Sequence, residues 1–138
     1  MPDPDLIDRI AQAQPPFARL LGLRVVEADP DRVVAEMEVT EALTNRNGTL
    51  HGGAVMGVAD NLGGTATFLN LKPGQGTVTL ESKTNFLRTV PLGDTMRAET
   101  TPLHKGRSTM IWQTRLYRAD GKLAAQVVQT QMILQKDG

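Results

Sequence analysis

The chain has 138 residues, with 15 Lys and Arg balanced by 15 Asp and Glu, no Cys and two His. That length suits one domain with a single core, and a net charge of zero argues against a polyanionic partner such as nucleic acid. Without cysteine there is no disulfide framework, thiolate nucleophile or cysteine metal site, and His51 and His104, far apart in sequence, are thin material for a metal.

Residues 1–21 read as an N-terminal helical segment. Leu6, Ile7 and Ile10 share one side of a short helix from Pro4 to about Gln14, Pro15-Pro16 end it, and a second turn runs from Phe17 to Leu21. The early Asp3, Asp5 and Asp8 do not fit a secretory leader. No stretch approaches the roughly 20 apolar residues of a membrane span, so no membrane association and a cytoplasmic setting are expected. After Gly22, Leu23 to Glu27 and Arg32 to Thr40 read as two paired strands around the turn Asp29-Pro30-Asp31, the second alternating Val33, Ala35, Met37 and Val39 with Val34, Glu36 and Glu38.

A helix is predicted over 52–69, closed by the breakers Lys72-Pro73-Gly74-Gln75-Gly76. Its many small residues let a backbone approach a sheet closely, although each Gly costs about 1 kcal/mol against Ala in a helix. From Thr77 the period changes to that of strands, and residues 77–134 are expected to form a four-stranded meander: Thr77 to Thr89, Thr95 to Leu103, Ser108 to Arg118 and Lys122 to Leu134. In the first of these, Val78, Leu80, Ser82, Thr84 and Phe86 are expected on one face and Thr79, Glu81, Lys83 and Asn85 on the other. Met110, Trp112 and Leu116 read as core, and Asp120-Gly121 is a strong hairpin signal. Together the elements describe an antiparallel sheet that needs the helix to cover its apolar face.

One carboxylate stands out. Asp60 lies within the apolar, small-residue run Ala54 to Leu69, which reads as mostly buried, where an ionised acid is costly unless a partner or a reaction requires it. Ahead of it, His51-Gly52-Gly53 fall where loop becomes helix. Unsatisfied N–H groups and the positive end of the macrodipole would favour a developing oxyanion there. From the residues alone, the glycines serve either that purpose or a tight turn, and Asp60 is either reactive or a structural acid paired with a base. Geometry adds a constraint: seven residues of helix put Asp60 about 10 Å from Gly53, too far for both to act on one carbonyl. Two antiparallel copies of the helix in a symmetric dimer would bring Gly53 of one chain to Asp60 of the other.

The pattern Asn45-x-x-Gly48-x-x-His51-Gly52-Gly53 with Asp60 resembles the signature of hotdog-fold acyl-CoA thioesterases of the phenylacetate-pathway and 4-hydroxybenzoyl-CoA branch. The likeness runs through Phe17 to Val26, the Phe86-Leu87-Arg88 strand end, the Lys105-Gly106-Arg107 turn and Asp120-Gly121-Lys122. It implies an α+β hotdog fold, a curved antiparallel β-sheet wrapped around a long central α-helix. It further implies acyl-CoA as substrate, no cofactor, and a homo-oligomer with shared sites, either a dimer or a dimer of dimers. By the same resemblance Asp60 is the nucleophile or general base, and Gly53 supplies the oxyanion N–H. His51 shapes that turn, Asn45 holds the water or carbonyl, and Thr79 positions the water. Arg88, Lys105 and Arg107 become candidate contacts to the phosphates of coenzyme A, and Met56 and Phe68 candidate walls of an acyl tunnel between subunits. Two other readings stay open: a non-catalytic acyl-CoA-binding module, and a hotdog enoyl-CoA hydratase or dehydratase using His51.

Overall fold

The structure, a computed structural model, describes residues 3–135. Helix α1 (Pro4–Ala13) is capped by Asp3, whose carboxylate accepts the Asp5 and Leu6 N–H groups, and α2 (Pro16–Leu21) is closed by Gly22 at φ +74°. Six strands follow in one antiparallel sheet: β1 (Arg24–Asp29), β2 (Arg32–Glu38), β3 (Gln75–Phe86), β4 (Thr95–Lys105), β5 (Thr109–Tyr117) and β6 (Leu123–Gln135). The long helix α3 (Gly52–Phe68) lies against β2 to β6, as the apolar alternation of the strands required.

Val33, Ala35 and Met37 of β2, Met96 and Ala98 of β4, Met110, Trp112 and Leu116 of β5, and Val127 of β6 form the sheet side of the core. Val55, Val58, Ala59, Leu62 and Ala66 form the helix side. Trp112 is fully buried and donates its indole N–H to the Thr67 hydroxyl at 2.9 Å, which in turn donates to the Gly63 carbonyl. Burying an indole requires such an acceptor, and this places a threonine in the last turn of an apolar helix. Gly63 has its own reason: a Cβ there would come within 2.2 Å of the Gln129 side chain.

Three expectations need correction. The strand order is β1-β2-β4-β5-β6-β3, so only β4, β5 and β6 form a meander. The chain leaves β3, crosses the sheet end through hydrogen bonds of Leu87 and Arg88 to the Ala124 carbonyl, and enters β4 beside β2. β3 instead pairs with β6 and is an edge strand, because α3 precedes it and delivers the chain to the far side of the sheet.

The expected faces of β3 also change. Its register shifts between Thr79 and Glu81, leaving Leu80 as an extra residue. Thr77 and Thr79 therefore lie on the helix side with Ser82, Thr84 and Phe86, while Val78 pairs with Met132 on the outside. A bulge reverses the alternation along half of a strand, and no period-2 reading survives it.

Finally, α3 is not buried all round. Met56, Asp60 and Phe68 are exposed, Asp60 beside the edge strand β3, so Asp60 carries no burial cost in the single chain. Exposed apolar side chains lie on this open part of the helix, Met56 and Phe68, and on the mostly polar edge strand, Val78, Leu80 and Phe86.

Candidate active site

Two clusters of polar groups lie at different points along α3. The first surrounds Asp60, whose Oδ1 accepts the Thr79 hydroxyl at 2.7 Å; Thr79 Oγ1 accepts Gln131 Nε2 at 2.6 Å. Asp60 Oδ2 has no partner among the described residues. The pair sits on the wall of a groove of about 530 Å³ between α1, α3 and β3, whose apolar lining comes from Leu6, Ile10, Ala13, Phe68 and Leu69. Helix α1 supplies one wall, and just beyond its end Gln14 accepts Asn61 Nδ2 at 2.8 Å. Gly64 lines the same groove one helical turn beyond Asp60, and a Cβ there would meet no atom within 4 Å.

The second cluster is the loop that starts α3. Asn45 Oδ1 accepts the Asn47 N–H (2.9 Å), the Thr49 N–H and the Thr49 hydroxyl (both 3.2 Å). With only donors on that side, the oxygen is fixed there and the Asn45 NH₂ is left uncommitted. Gly48, at φ +74°, makes the turn. His51 caps the helix: its Nδ1 accepts the Gly53 N–H at 2.8 Å, so the imidazole is neutral at Nδ1 and carries its proton on Nε2. Gly53's N–H is thus already taken, and Gly52's N–H is the one with no acceptor among the described residues. Gly52 also faces Phe86, 3.2 Å from where a Cβ would sit.

Asp60 and Thr79 therefore meet in one place, and Asn45, His51, Gly52 and Gly53 in another. Eight residues of helix separate Gly52 from Asp60, about 12 Å. The basic residues do not gather either. Arg88 borders the second cluster and donates to the Leu123 carbonyl at 2.8 Å, in a cavity of about 380 Å³ that also touches Asn45 and Gly52. Lys105 pairs with Asp31 and with Asn70 just beyond the opposite end of α3, and Arg107, in the turn after it, is exposed. No group of acidic and histidine side chains able to hold a metal occurs among the described residues.

Residues 47–125, which hold the helix start, Asp60 and most of the sheet, match the thioesterase superfamily. The chain belongs to that superfamily. Thioester hydrolysis is the activity of the family, and human acyl-coenzyme A thioesterase 13 is 33% identical over 80% of this chain and 79% of its own length. Among solved structures, a mutant form of thioesterase PA1618 from Pseudomonas aeruginosa superposes with a TM-score of 0.85 at 29% identity, covering 97% of this chain and 95% of that one. The smu.793 protein of Streptococcus mutans, solved with acetyl-CoA bound, superposes with a TM-score of 0.77 at 25% identity, covering 84% of this chain and 91% of that one. The six-stranded sheet wrapped on α3 is the hotdog arrangement of this superfamily.

Two residues of the thioesterase's polar cluster were not singled out from sequence. Gln129 and Gln131 are buried on the helix side of β6, where Ala125, Val127 and Ile133 are apolar. The signal was present as two uncharged polar residues that interrupt the inward positions of a core strand.

Proposed function

We propose that this protein is a cytoplasmic acyl-CoA thioesterase that works as a homodimer with two composite sites. The observation that carries the reading is the separation of the two clusters by about 12 Å along one helix. A carboxylate with a free oxygen and a helix-terminal N–H with no acceptor are complementary parts of acyl transfer chemistry, and only a second antiparallel α3 brings one of each to a single carbonyl. The exposed Met56 and Phe68 of α3 and the open β3 edge give that second copy a surface to cover.

In this reading the Gly52 N–H, rather than that of Gly53, polarises the thioester carbonyl together with the free NH₂ of Asn45. Asp60 of the partner chain uses Oδ2 to take the proton of a water whose oxygen bonds to the carbonyl carbon, or itself bonds to that carbon to give a mixed anhydride that water then cleaves to the free acid and the carboxylate. The C–S bond breaks and the thiolate leaves as CoA, taking up a proton. The acyl group lies in the groove beside Asp60, and of Arg88, Lys105 and Arg107 it is Arg88 that is placed to meet a phosphate near the Gly52 end. Lys105 is spent on Asp31 and Asn70. The acetyl-CoA bound to the Streptococcus mutans protein supports a CoA ester as the substrate.

A hydratase using His51 as base is disfavoured, since Nδ1 is occupied by Gly53 N–H and Nε2 carries the proton. Thiol release from short, medium and aromatic acyl-CoAs by wild type and Asp60→Ala tests the proposal. Release by wild type that falls by about 10² or more in the variant supports it. A wild type that binds CoA esters without releasing thiol, or an Asp60→Ala variant as active as wild type, would sink it.

A further inference from the structure

The buried glutamines behind Thr79 form a chain whose direction is fixed. Gln129 Nε2 donates to the Ala59 carbonyl at 2.6 Å, and Gln131 Nε2 donates to Gln129 Oε1 at 2.8 Å and to Thr79 Oγ1 at 2.6 Å. Gln131 Oε1 accepts from Thr77 at 3.0 Å. A carbonyl oxygen can only accept. Gln129 must therefore turn its NH₂ to Ala59 and its oxygen to Gln131, which must answer with its own NH₂. The second hydrogen of that NH₂ goes to Thr79, so the single Thr79 hydroxyl hydrogen is left for Asp60 Oδ1. The chain begins on the carbonyl of Ala59 and ends on the side chain of the next residue.

We propose that Gln131, backed by Gln129, is a positioning residue that fixes Thr79 as a one-way donor to Asp60. The consequence for the reaction, which rests on the reading of Asp60 as the reacting acid, is a division of labour between its two oxygens. Oδ1 is held by Thr79 and Oδ2 is presented to the groove. Thr79 thus acts on the carboxylate, not as a donor to the attacking water. Both glutamines are almost completely buried, Gln131 at the groove wall with its NH₂ committed to Gln129 and Thr79 and Gln129 behind it, so both act through Thr79.

A double-mutant cycle on the intact dimer tests this. Thr79→Val removes the donor and is expected to lower kcat about tenfold, a charged hydrogen bond's worth, with KM within about twofold. Thr79→Ser, which keeps the hydroxyl, retains most of kcat. Gln131→Met, of similar volume, is expected to lower kcat between about threefold and tenfold, and the double variant to fall no further than Thr79→Val alone. Multiplying losses, or a folded Gln131→Met dimer with wild-type kcat, would overturn the proposal. The side-chain amide protons of Gln131 give a readout that needs no turnover and no core substitution. Both are expected to exchange slowly with solvent in wild type, and one to be released in Thr79→Val, since Thr79 and Gln131 line the groove. Fast exchange of both in wild type overturns the relay. Slow exchange in a protein that hydrolyses no thioester would instead leave the relay standing and refute the proposed activity.

Discussion

Thr79 donates its hydroxyl to Asp60 at 2.7 Å across nineteen residues of chain and from a different element, because a bulge at Leu80 brings Thr79 to the helix side of β3. Without that extra residue the strand would present its neighbours, and the carboxylate would face the groove without a partner.

Complementation gives the sharpest check on shared sites. Asp60→Ala and Asn45→Ala chains, each expected to be nearly inactive alone, form a mixed dimer in which one composite site keeps both residues. After subunit exchange at equal concentrations, about half of the dimers are mixed, and activity should return to about a quarter of wild type. No recovery, with exchange shown by mass spectrometry, would place both residues in one chain's site.

The edge of the sheet should control assembly. Leu80→Lys puts a charge on the exposed bulge of β3 and is expected to shift the dimer to monomer in sedimentation, with activity lost in parallel. A fully active monomer would refute the composite site.

Gly64 has no packing reason to be glycine in the single chain, since a Cβ there meets nothing within 4 Å. Gly64→Ala should raise helix stability by up to about 1 kcal/mol, seen as a higher midpoint in urea. Gly64→Leu should fill the groove one turn past Asp60 and raise KM for long acyl chains while sparing short ones. Equal effects on all chain lengths would show that the acyl group runs elsewhere.

Gly63 next to it behaves oppositely. Gly63→Ala drives a methyl into Gln129, at 2.2 Å, and is expected to destabilise the fold by about 1–3 kcal/mol. Urea denaturation of the two alanine variants side by side should show midpoints moving in opposite directions.

The β5–β6 hairpin carries a separate acid-dependent element. The Arg118 side chain, followed by the Lys122 backbone N–H, lowers the Asp120 carboxyl to about 2 from 3.8. A depressed folded value means the contribution is complete above about pH 4 and is lost as pH falls through about 2. A carboxyl titration of Asp120 by NMR with a midpoint near that of a free aspartate would contradict it.

Much of this was legible in the sequence. Breakers and alternation placed the helices and the strands, and with them the pairings β1–β2, β4–β5 and β5–β6, because each depends on local propensity, on the period of apolar residues and on short turns. The turn from Asn45 to Gly53 was readable for the same reason, its hydrogen bonds closing within a few residues. Helix rise alone separated Asp60 from the helix start, the separation on which the proposed second chain rests.

Only the tertiary structure decided which residues met across the fold. The crossover that sends β3 to the sheet edge, the bulge that turns Thr79 inward, and the buried Gln129 and Gln131 depend on pairing between β3 and β6, which the sequence separates by the whole of β4 and β5. The cap that takes up Gly53 and leaves Gly52 free depends on one imidazole orientation. Sequence determined the elements and the chemistry available, since those follow from side-chain type and spacing. Register and crossover determined which atoms face one another, since a shift of a single residue in a strand exchanges its faces.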